Sequence, residues 1–260
     1  MNLTASLRSE VLKLKRTSVL YLLPISAFII PLIMVFDYAT TGSTKPDGWE
    51  DYYLEGTRVM AFAFLPLFFV LTSTLMIQIE VRNNTWKQVL TSPQSYLNIV
   101  LSKFAMLQLA GVIFILFYNI FMFAGAGLLD IIHTHSFLAY LEHWRELLKI
   151  NLSAWGSTIV ISALCFWMAL RSKNFIAPIA IGFLLWMAGP FAAVEFKWPH
   201  AEKFVFALQF TILSKKFEHN QLFYQVLSIG YGVFFLGIAY VEFVLQRTKV
   251  FFWHAKKVKH

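Results

Sequence analysis

The chain has 260 residues, of which 58% are hydrophobic and only 14% are charged. Because a soluble globular domain carries about 25% charged residues, this composition excludes an ordinary soluble domain and predicts a membrane protein. The net charge of +8 is explained by Lys and Arg in cytoplasmic segments, and we expect no nucleic-acid partner. The single cysteine, Cys165, excludes an intrachain disulfide.

Residues 2–17 predict an amphipathic helix that lies in the cytoplasmic interface of the lipid bilayer. Apolar residues recur at helical spacing and so share one face of this helix. We expect this stripe to contact lipid and the cations of the segment to lie near anionic headgroups. An ordinary solvated basic tail is the alternative. The stripe consists of Leu3, Leu7, Val11 and Leu14, and the cations are Arg8, Lys13, Lys15 and Arg16.

Six apolar runs are predicted as membrane spans because each has about the length that a helix needs to cross a bilayer. They cover about residues 19–36, 59–79, 104–129, 150–170, 175–194 and 222–245. The predicted fold class is therefore all-α: a polytopic membrane protein with six transmembrane helices after the interfacial N-terminal helix. We expect residues 1–260 to form a single transmembrane domain.

The segments between the spans carry three further predictions. Residues 37–58 are predicted to form an acidic loop whose Trp49, Tyr52 and Tyr53 belong to an interfacial aromatic belt. Residues 137–148 are predicted to form a half-buried helix that leads into the fourth span. The apolar run 204–213 is too short to cross a bilayer, so it predicts an interfacial or re-entrant segment.

The distribution of positive charge predicts the orientation of the chain. Six spans place both termini on one side, and 14 of the 22 Lys and Arg residues lie on that side. Cytoplasmic segments of membrane proteins are enriched in Lys and Arg. Both termini and residues 80–98 are therefore predicted to be cytoplasmic, in a multi-pass protein of the cell inner membrane.

Several kinds of chemistry are missing from the chain. The cores of the spans lack ionisable side chains, which argues against an ion-coupled transporter or a proton pump. The sequence has no glycine-rich phosphate loop, so we expect no ATP site in it. His133 and His135 alone are too few ligands for a metal site. We therefore predict no catalytic, cofactor-binding or metal-binding residue.

Small residues inside the spans recur four positions apart. Ser153 and Ser157 form one such pair, and Ser228 and Gly232 form another. This spacing lets helices approach closely, so close helix packing is the expected role. A subunit interface or a path for an apolar substrate is the alternative.

Residues 80–98 form a polar segment between two long apolar runs. The segment carries the charges of Glu80, Arg82 and Lys87 and an amphipathic turn around Trp86. Pro93 ends that turn because proline lacks the amide hydrogen that a helix interior needs. This pattern predicts a short helix at the cytoplasmic surface.

The stretch Glu80-x4-Thr85-Trp86-Lys87-x2-Leu90-Thr91-x-Pro93 resembles a loop of the membrane-spanning subunit of ABC-2 type ABC transporters. The basic amphipathic start and the large outer loop before the last span support the resemblance, especially to permeases of bacteriocin or lantibiotic self-protection. It implies that residues 80–98 are a coupling helix bound by a separate ATP-binding subunit. The coupling residues would be Glu80, Arg82, Thr85, Trp86, Lys87, Leu90 and Pro93.

The resemblance also implies the function. Two permeases, as a homodimer or heterodimer, would work with two ATP-binding subunits, which bind the ATP and magnesium, and the permease itself would have no enzymatic activity. Trp86 suits either a groove of that subunit or the membrane interface.

The uncharged spans favour a hydrophobic or amphipathic substrate, such as a peptide antibiotic, a lipid-like molecule or a drug. Two alternatives stay open. One is a polytopic membrane enzyme acting on lipid, and the other is a membrane immunity or assembly factor that needs no ATPase. An enzyme would need carboxylates or nucleophiles gathered near the interface, whereas the candidates are scattered along the chain: Asp130, Glu142, Glu146 and Glu195.

Overall fold

The computed structural model describes residues 3–14, 19–41, 49–82, 95–132, 143–172, 174–194, 203–204, 207–209 and 220–257. Helices dominate these residues, as the predicted all-α class requires. The helices are α1 (Leu3–Leu14), α2 (Val19–Thr41), α3 (Glu55–Val59), α4 (Leu65–Arg82), α5 (Tyr96–Ile132), α6 (Trp144–Arg171), α7 (Ile176–Val194) and α8 (Gln221–Lys257). The π-helical turn π1 (Trp49–Leu54) leads into α3, and a second, π2 (Met60–Phe64), joins α3 to α4, so residues 49–82 form one continuous helix.

Five helices of the described residues are long and apolar enough to cross a membrane: Val19–Thr40, Tyr52–Arg82, Tyr96–Ile132, Trp144–Arg171 and Gln221–Gln246. The fifth predicted span is also a helix, α7, but its apolar part, Ile176–Gly189, is shorter. Helices α5 and α8 each have 37 residues, which makes them about 55 Å long. A hydrocarbon core is about 30 Å thick, so both helices continue beyond it.

The prediction of a loop over residues 37–58 is wrong for residues 37–41, which belong to α2, and for residues 49–58, which form π1 and most of α3. The predicted aromatic belt is wrong for Tyr52 and Tyr53, whose side chains are buried. The Tyr52 hydroxyl donates a hydrogen bond to the Met122 carbonyl of α5 at 3.1 Å. Charged residues in this stretch suggested a loop, but a helix can bury one face and leave a residue such as Glu55 exposed on the other.

Other helices also extend beyond the predicted spans. Helix α4 continues to Arg82 and α5 begins at Tyr96, so both ends of the predicted loop 80–98 are helical. Helix α8 continues to Lys257, through most of the predicted basic tail. Hydropathy marks where lipid begins and ends, whereas a helix continues as long as its backbone hydrogen bonds and packing support it.

Only part of the predicted re-entrant segment 204–213 is described. The amide groups of Ala207 and Leu208 donate hydrogen bonds to the Phe204 carbonyl at 2.9 and 3.1 Å, which makes a tight turn. The side chains of Ala207, Leu208 and Gln209 are buried. This part of the segment therefore packs against the helices.

Helices α5 and α6 are joined by polar side chains at two depths. The Gln108 amide donates to the Ser162 hydroxyl at 2.7 Å, and the Asn151 amide donates to the Asn119 side-chain oxygen at 3.1 Å. From the first contact to the second, the residue number in α5 rises from 108 to 119 while the residue number in α6 falls from 162 to 151. The two helices are therefore antiparallel.

Helices α6 and α8 pack closely through the small residues singled out in the sequence. The Ser228 hydroxyl donates to the carbonyls of Gly156 and Ser157 at 3.0 and 3.2 Å. A Cβ atom at Gly232 would lie only 2.7 Å from the Cγ2 methyl of Ile159. The prediction of close helix packing is therefore confirmed for these positions.

Candidate functional site

Four charged side chains meet where α1, the end of α4 and the start of α5 come together. We call Glu10, Lys13, Glu80 and Lys103 the charge cluster. The Lys103 Nζ atom lies 2.5 Å from Glu80 Oε1 and 3.3 Å from Glu10 Oε1. The Lys13 Nζ atom lies 2.7 Å from an Oε1 atom of each carboxylate. Each cation thus bridges α1 and α4.

The geometry of α1 explains how two of these side chains reach the cluster. Residues three apart in a helix lie on the same face, so Glu10 and Lys13 both point toward α4 and α5. Helix α1 also buries Ser6 on its inner side, whereas Val11 and Leu12 are exposed. Its inner side therefore carries Ser6 and Glu10, whereas its outer side carries both the charged Arg8 and apolar residues. Its position in the membrane interface stays a prediction.

The cluster is largely buried, and its charges balance among the residues that the structure describes. Glu80 and Lys103 expose only 3% and 2% of their surface, and the two carboxylates face two ammonium groups. Burial by itself would lower the pKa of Lys13, but the charges of Glu80 and Glu10 outweigh it and raise that pKa above its ordinary value. Buried charges of this kind are stable only as a complete set, because the loss of one leaves another unpaired.

The cluster joins α1 to the two helices that flank the predicted coupling loop. Glu80 lies two residues before the end of α4, and Lys103 lies in the second turn of α5, which begins at Tyr96. These two helices enclose residues 83–94, the centre of the predicted coupling loop. Both ends of that loop are thus fastened to each other and to α1 by ion pairs.

The structure describes two of the seven predicted coupling residues. It places the Glu80 carboxylate on Lys13 and Lys103 of the same chain, and it leaves Arg82 exposed. The other five lie outside the described residues, so contact with an ATP-binding subunit stays a prediction for all seven. These five are Thr85, Trp86, Lys87, Leu90 and Pro93.

Sequence reasoning missed Glu10 and Lys103 as members of a site, and it expected Lys13 near lipid headgroups, whereas Lys13 pairs with Glu10 and Glu80. Glu10 is the only acidic residue between positions 1 and 36, and Lys103 is the only charged residue between positions 88 and 129. An isolated charge beside an apolar run needs a partner if it is buried. That signal points to the two residues, although it does not identify their partners.

Residues 6–189 match the model of the family described as ABC-2 family transporter protein. The chain belongs to the ABC-2 family of transporter proteins. The matched residues of this ABC-2 permease include the whole charge cluster and all of residues 80–98. A sequence search of curated proteins finds no match.

Family membership confirms the resemblance noted in the sequence and the class of the protein. The chain is a multi-pass membrane protein and an ABC transporter permease. The ABC-2 permease family implies association with an ABC ATP-binding subunit, in which the ATPase generally resides.

Proposed function

We propose that this ABC-2 permease exports a hydrophobic or amphipathic substrate with energy from ATP that a separate subunit hydrolyses. The observation that carries the proposal is the charge cluster, which fastens α1 to both ends of residues 83–94. A subunit that pushed on this loop would move α1, α4 and α5 together as one body. The working unit would contain two permeases, identical or different, and two ATP-binding subunits that hold ATP and magnesium.

The same observations support an orientation. Phe104 and Phe166 lie 5.9 Å apart between ring centroids, so the C-terminal end of α6 lies near the charge cluster. The Gln246 amide of α8 donates to the Leu170 carbonyl at 2.7 Å, which brings the basic part of α8 to this end as well. Cytoplasmic ends are rich in cations. We therefore place this end and both termini in the cytoplasm, and we count α7 as a membrane span, which gives six spans in all.

The interior of the bundle supports an uncharged or amphipathic substrate. The polar side chains between α5 and α6 are uncharged and hydrogen-bond to one another, as in the Gln108–Ser162 pair. The ionisable residues of the charge cluster lie at one end of the bundle and pair with one another. A desolvated ion would need partners along its path, and the predicted span cores offer none. The chain has no proposed catalytic role of its own.

Mutation of the coupling loop tests this function. The permease and its ATP-binding subunit would be purified together and placed in lipid vesicles. Trp86→Ala is expected to lower ATP-dependent transport and co-purification of the subunit, because an aromatic anchor in a groove often dominates binding. Trp144→Ala, the same change at an exposed residue of α6, is the matched control.

The outcome also separates the alternatives. Equal transport by both variants and the wild type would refute the role of residues 80–98. A membrane enzyme would act on lipid without ATP, and an ATPase-independent immunity factor would protect cells that lack the ATP-binding subunit.

A labelling experiment tests the orientation. Cys165 is the only cysteine, so Cys165→Ser gives a background without thiols. Gln88→Cys is expected to react with an impermeant maleimide only from the cytoplasmic side. Ser136→Cys is expected to react only from outside, and the reverse pattern would contradict the orientation.

A further inference from the structure

The π2 turn and Pro66 interrupt the backbone hydrogen bonds of the second membrane helix. In π2, the Leu65 amide donates to the Met60 carbonyl, five residues back. The Ala61 carbonyl would accept from Leu65 in an α-helix or from residue 66 in a π-helix. The first donor is already used and the second is absent, because proline has no amide hydrogen. Pro66 also removes the α-helical donor of the Phe62 carbonyl.

Two side chains from distant parts of the chain donate hydrogen bonds to these carbonyls. The indole Nε1–H of Trp186, in α7, donates to the Phe62 carbonyl at 2.8 Å. The amide Nε2 of Gln209 donates to the Ala61 carbonyl. Gln209 is only 2% exposed, so water has little access to replace this bond. A buried carbonyl without a partner is strongly disfavoured, which explains why these polar side chains lie here.

The helix is anchored on both sides of this interruption. On its C-terminal side, α4 is held in the charge cluster by the ion pair of Glu80 with Lys103. On its N-terminal side, the hydroxyls of Thr57 and Tyr118 lie 3.4 Å apart. The hydroxyl of Tyr52, in π1, donates a hydrogen bond to a carbonyl of α5. The interruption is thus the place between two fixed ends where side chains have replaced backbone hydrogen bonds.

We propose that residues 60–66 are a joint of the second membrane helix, that Trp186 and Gln209 hold it in one arrangement, and that transport requires release of these caps. Side-chain hydrogen bonds can break without unfolding the helix. The freed carbonyls can then accept hydrogen bonds from water when the helix segments on the two sides of the joint move apart. Single π-turns occur often at functional sites. The inference rests on the proposed transport function, and Trp186 and Gln209 act in it as positioning residues.

Thermal unfolding of the purified permease tests whether the Gln209 side chain replaces the missing backbone donor of the Ala61 carbonyl. Gln209→Leu is expected to lower Tm by about 2 to 10 °C, the effect of one unpaired buried carbonyl. Pro66→Ala supplies the missing amide hydrogen to Ala61, so adding Gln209→Leu to it is expected to have little further effect. Pro24→Ala, the same change in α2, is the control, and Gln209→Leu should keep its full effect there. Additive effects in the Pro66→Ala background would overturn the assignment of the cap.

Transport tests whether the joint must open. Pro66→Ala is expected to keep Tm at or above the wild-type value and to lower ATP-driven transport on the order of tenfold, because a hinge that cannot move limits turnover. If Trp186 and Gln209 had a purely structural role, Pro66→Ala would leave transport unchanged. That result would overturn the proposal that residues 60–66 move as a joint.

A cross-link gives a second measurement. The rings of Phe62 and Trp186 lie 5.6 Å apart, so Phe62→Cys with Trp186→Cys, in the Cys165→Ser background, can be bridged by a short thiol cross-linker. Bridging is expected to stop transport, and cleavage of the bridge to restore it. Full transport by the bridged protein would overturn the proposal. Absence of ATP-driven transport in the wild type would instead overturn the proposed function, and with it the joint's role in transport. The thermal measurements would still decide the role of the caps.

Discussion

Lys103→Met is expected to destabilise the folded permease by about 3 kcal/mol. Removal of one partner from a buried ion pair costs about 3–5 kcal/mol. The Lys103 side chain is only 3% exposed and contacts both carboxylates of the charge cluster. The variant removes the more deeply buried of the two described cations that face the carboxylates. Because Lys13 still neutralises one of them, we expect the lower end of the range.

Two further variants control this prediction. Lys13→Met makes the same change in the same cluster, but the Lys13 side chain is 41% exposed, so we expect a loss of at most about 1 kcal/mol. Lys103→Met combined with Glu80→Gln leaves one carboxylate, Glu10, opposite one cation, Lys13. This restored balance of charge is expected to recover much of the stability. The link between α4 and α5 remains cut, so coupling to ATP hydrolysis should stay low.

The buried thiol of Cys165 provides the assay. It is the only cysteine of the chain and is 1% exposed, so a maleimide dye that fluoresces on reaction reports unfolding during a temperature ramp. A loss of 3 kcal/mol corresponds to a fall in Tm of about 6 to 12 °C. Equal Tm values for Lys103→Met and Lys13→Met would refute the buried charge cluster. Full transport by the stabilised double variant would refute its role in coupling.

Three other predictions follow from the packing and the charges. Gly111→Ala is expected to cost about 1–3 kcal/mol because its Cβ would overlap the ring of Phe69. A Cβ atom at Gly230 would have no atom within 4 Å, so Gly230→Ala should stabilise the helix by up to about 1 kcal/mol. Similar Tm values for Gly111→Ala and Gly230→Ala would contradict the close contact between Gly111 and Phe69. Ser153→Ala removes the acceptor shared by two glutamines of α8 at 2.9 Å, and thermal unfolding should show a loss of about 1–2 kcal/mol. Burial would lower the pKa of Lys13, but the carboxylates of Glu80 and Glu10 raise this pKa overall. The stabilising charge of Lys13 is therefore fully present below its ordinary pKa of 10.5. This stabilisation is lost only as the pH rises through the raised pKa of the folded state. Protease cleavage of α1 should therefore be constant between about pH 6 and 9, and a steep change within that range would contradict the pairing.

Local sequence was enough to predict five helices of membrane-spanning length and the packing of small residues. An apolar run long enough to cross a bilayer has few alternatives, because every backbone hydrogen bond must be made within the segment. The Ser228 and Gly232 pair likewise predicted a close helix contact from its spacing alone. The prediction failed at residues 49–58, where a helix carries charged residues on one side and buried tyrosines on the other. Hydropathy averaged over such a helix resembles that of a loop.

The sequence by itself determined that this chain is a helical membrane protein, because transfer of apolar side chains into lipid depends only on the side chains themselves. Only the tertiary structure decided that Glu80 pairs with Lys13 and Lys103, and that Gln209 bonds to the second membrane helix. These partners are separated by 23 to 148 residues along the chain. A charge or a carbonyl can be buried only where a partner is brought to it, and packing of the helices sets that position.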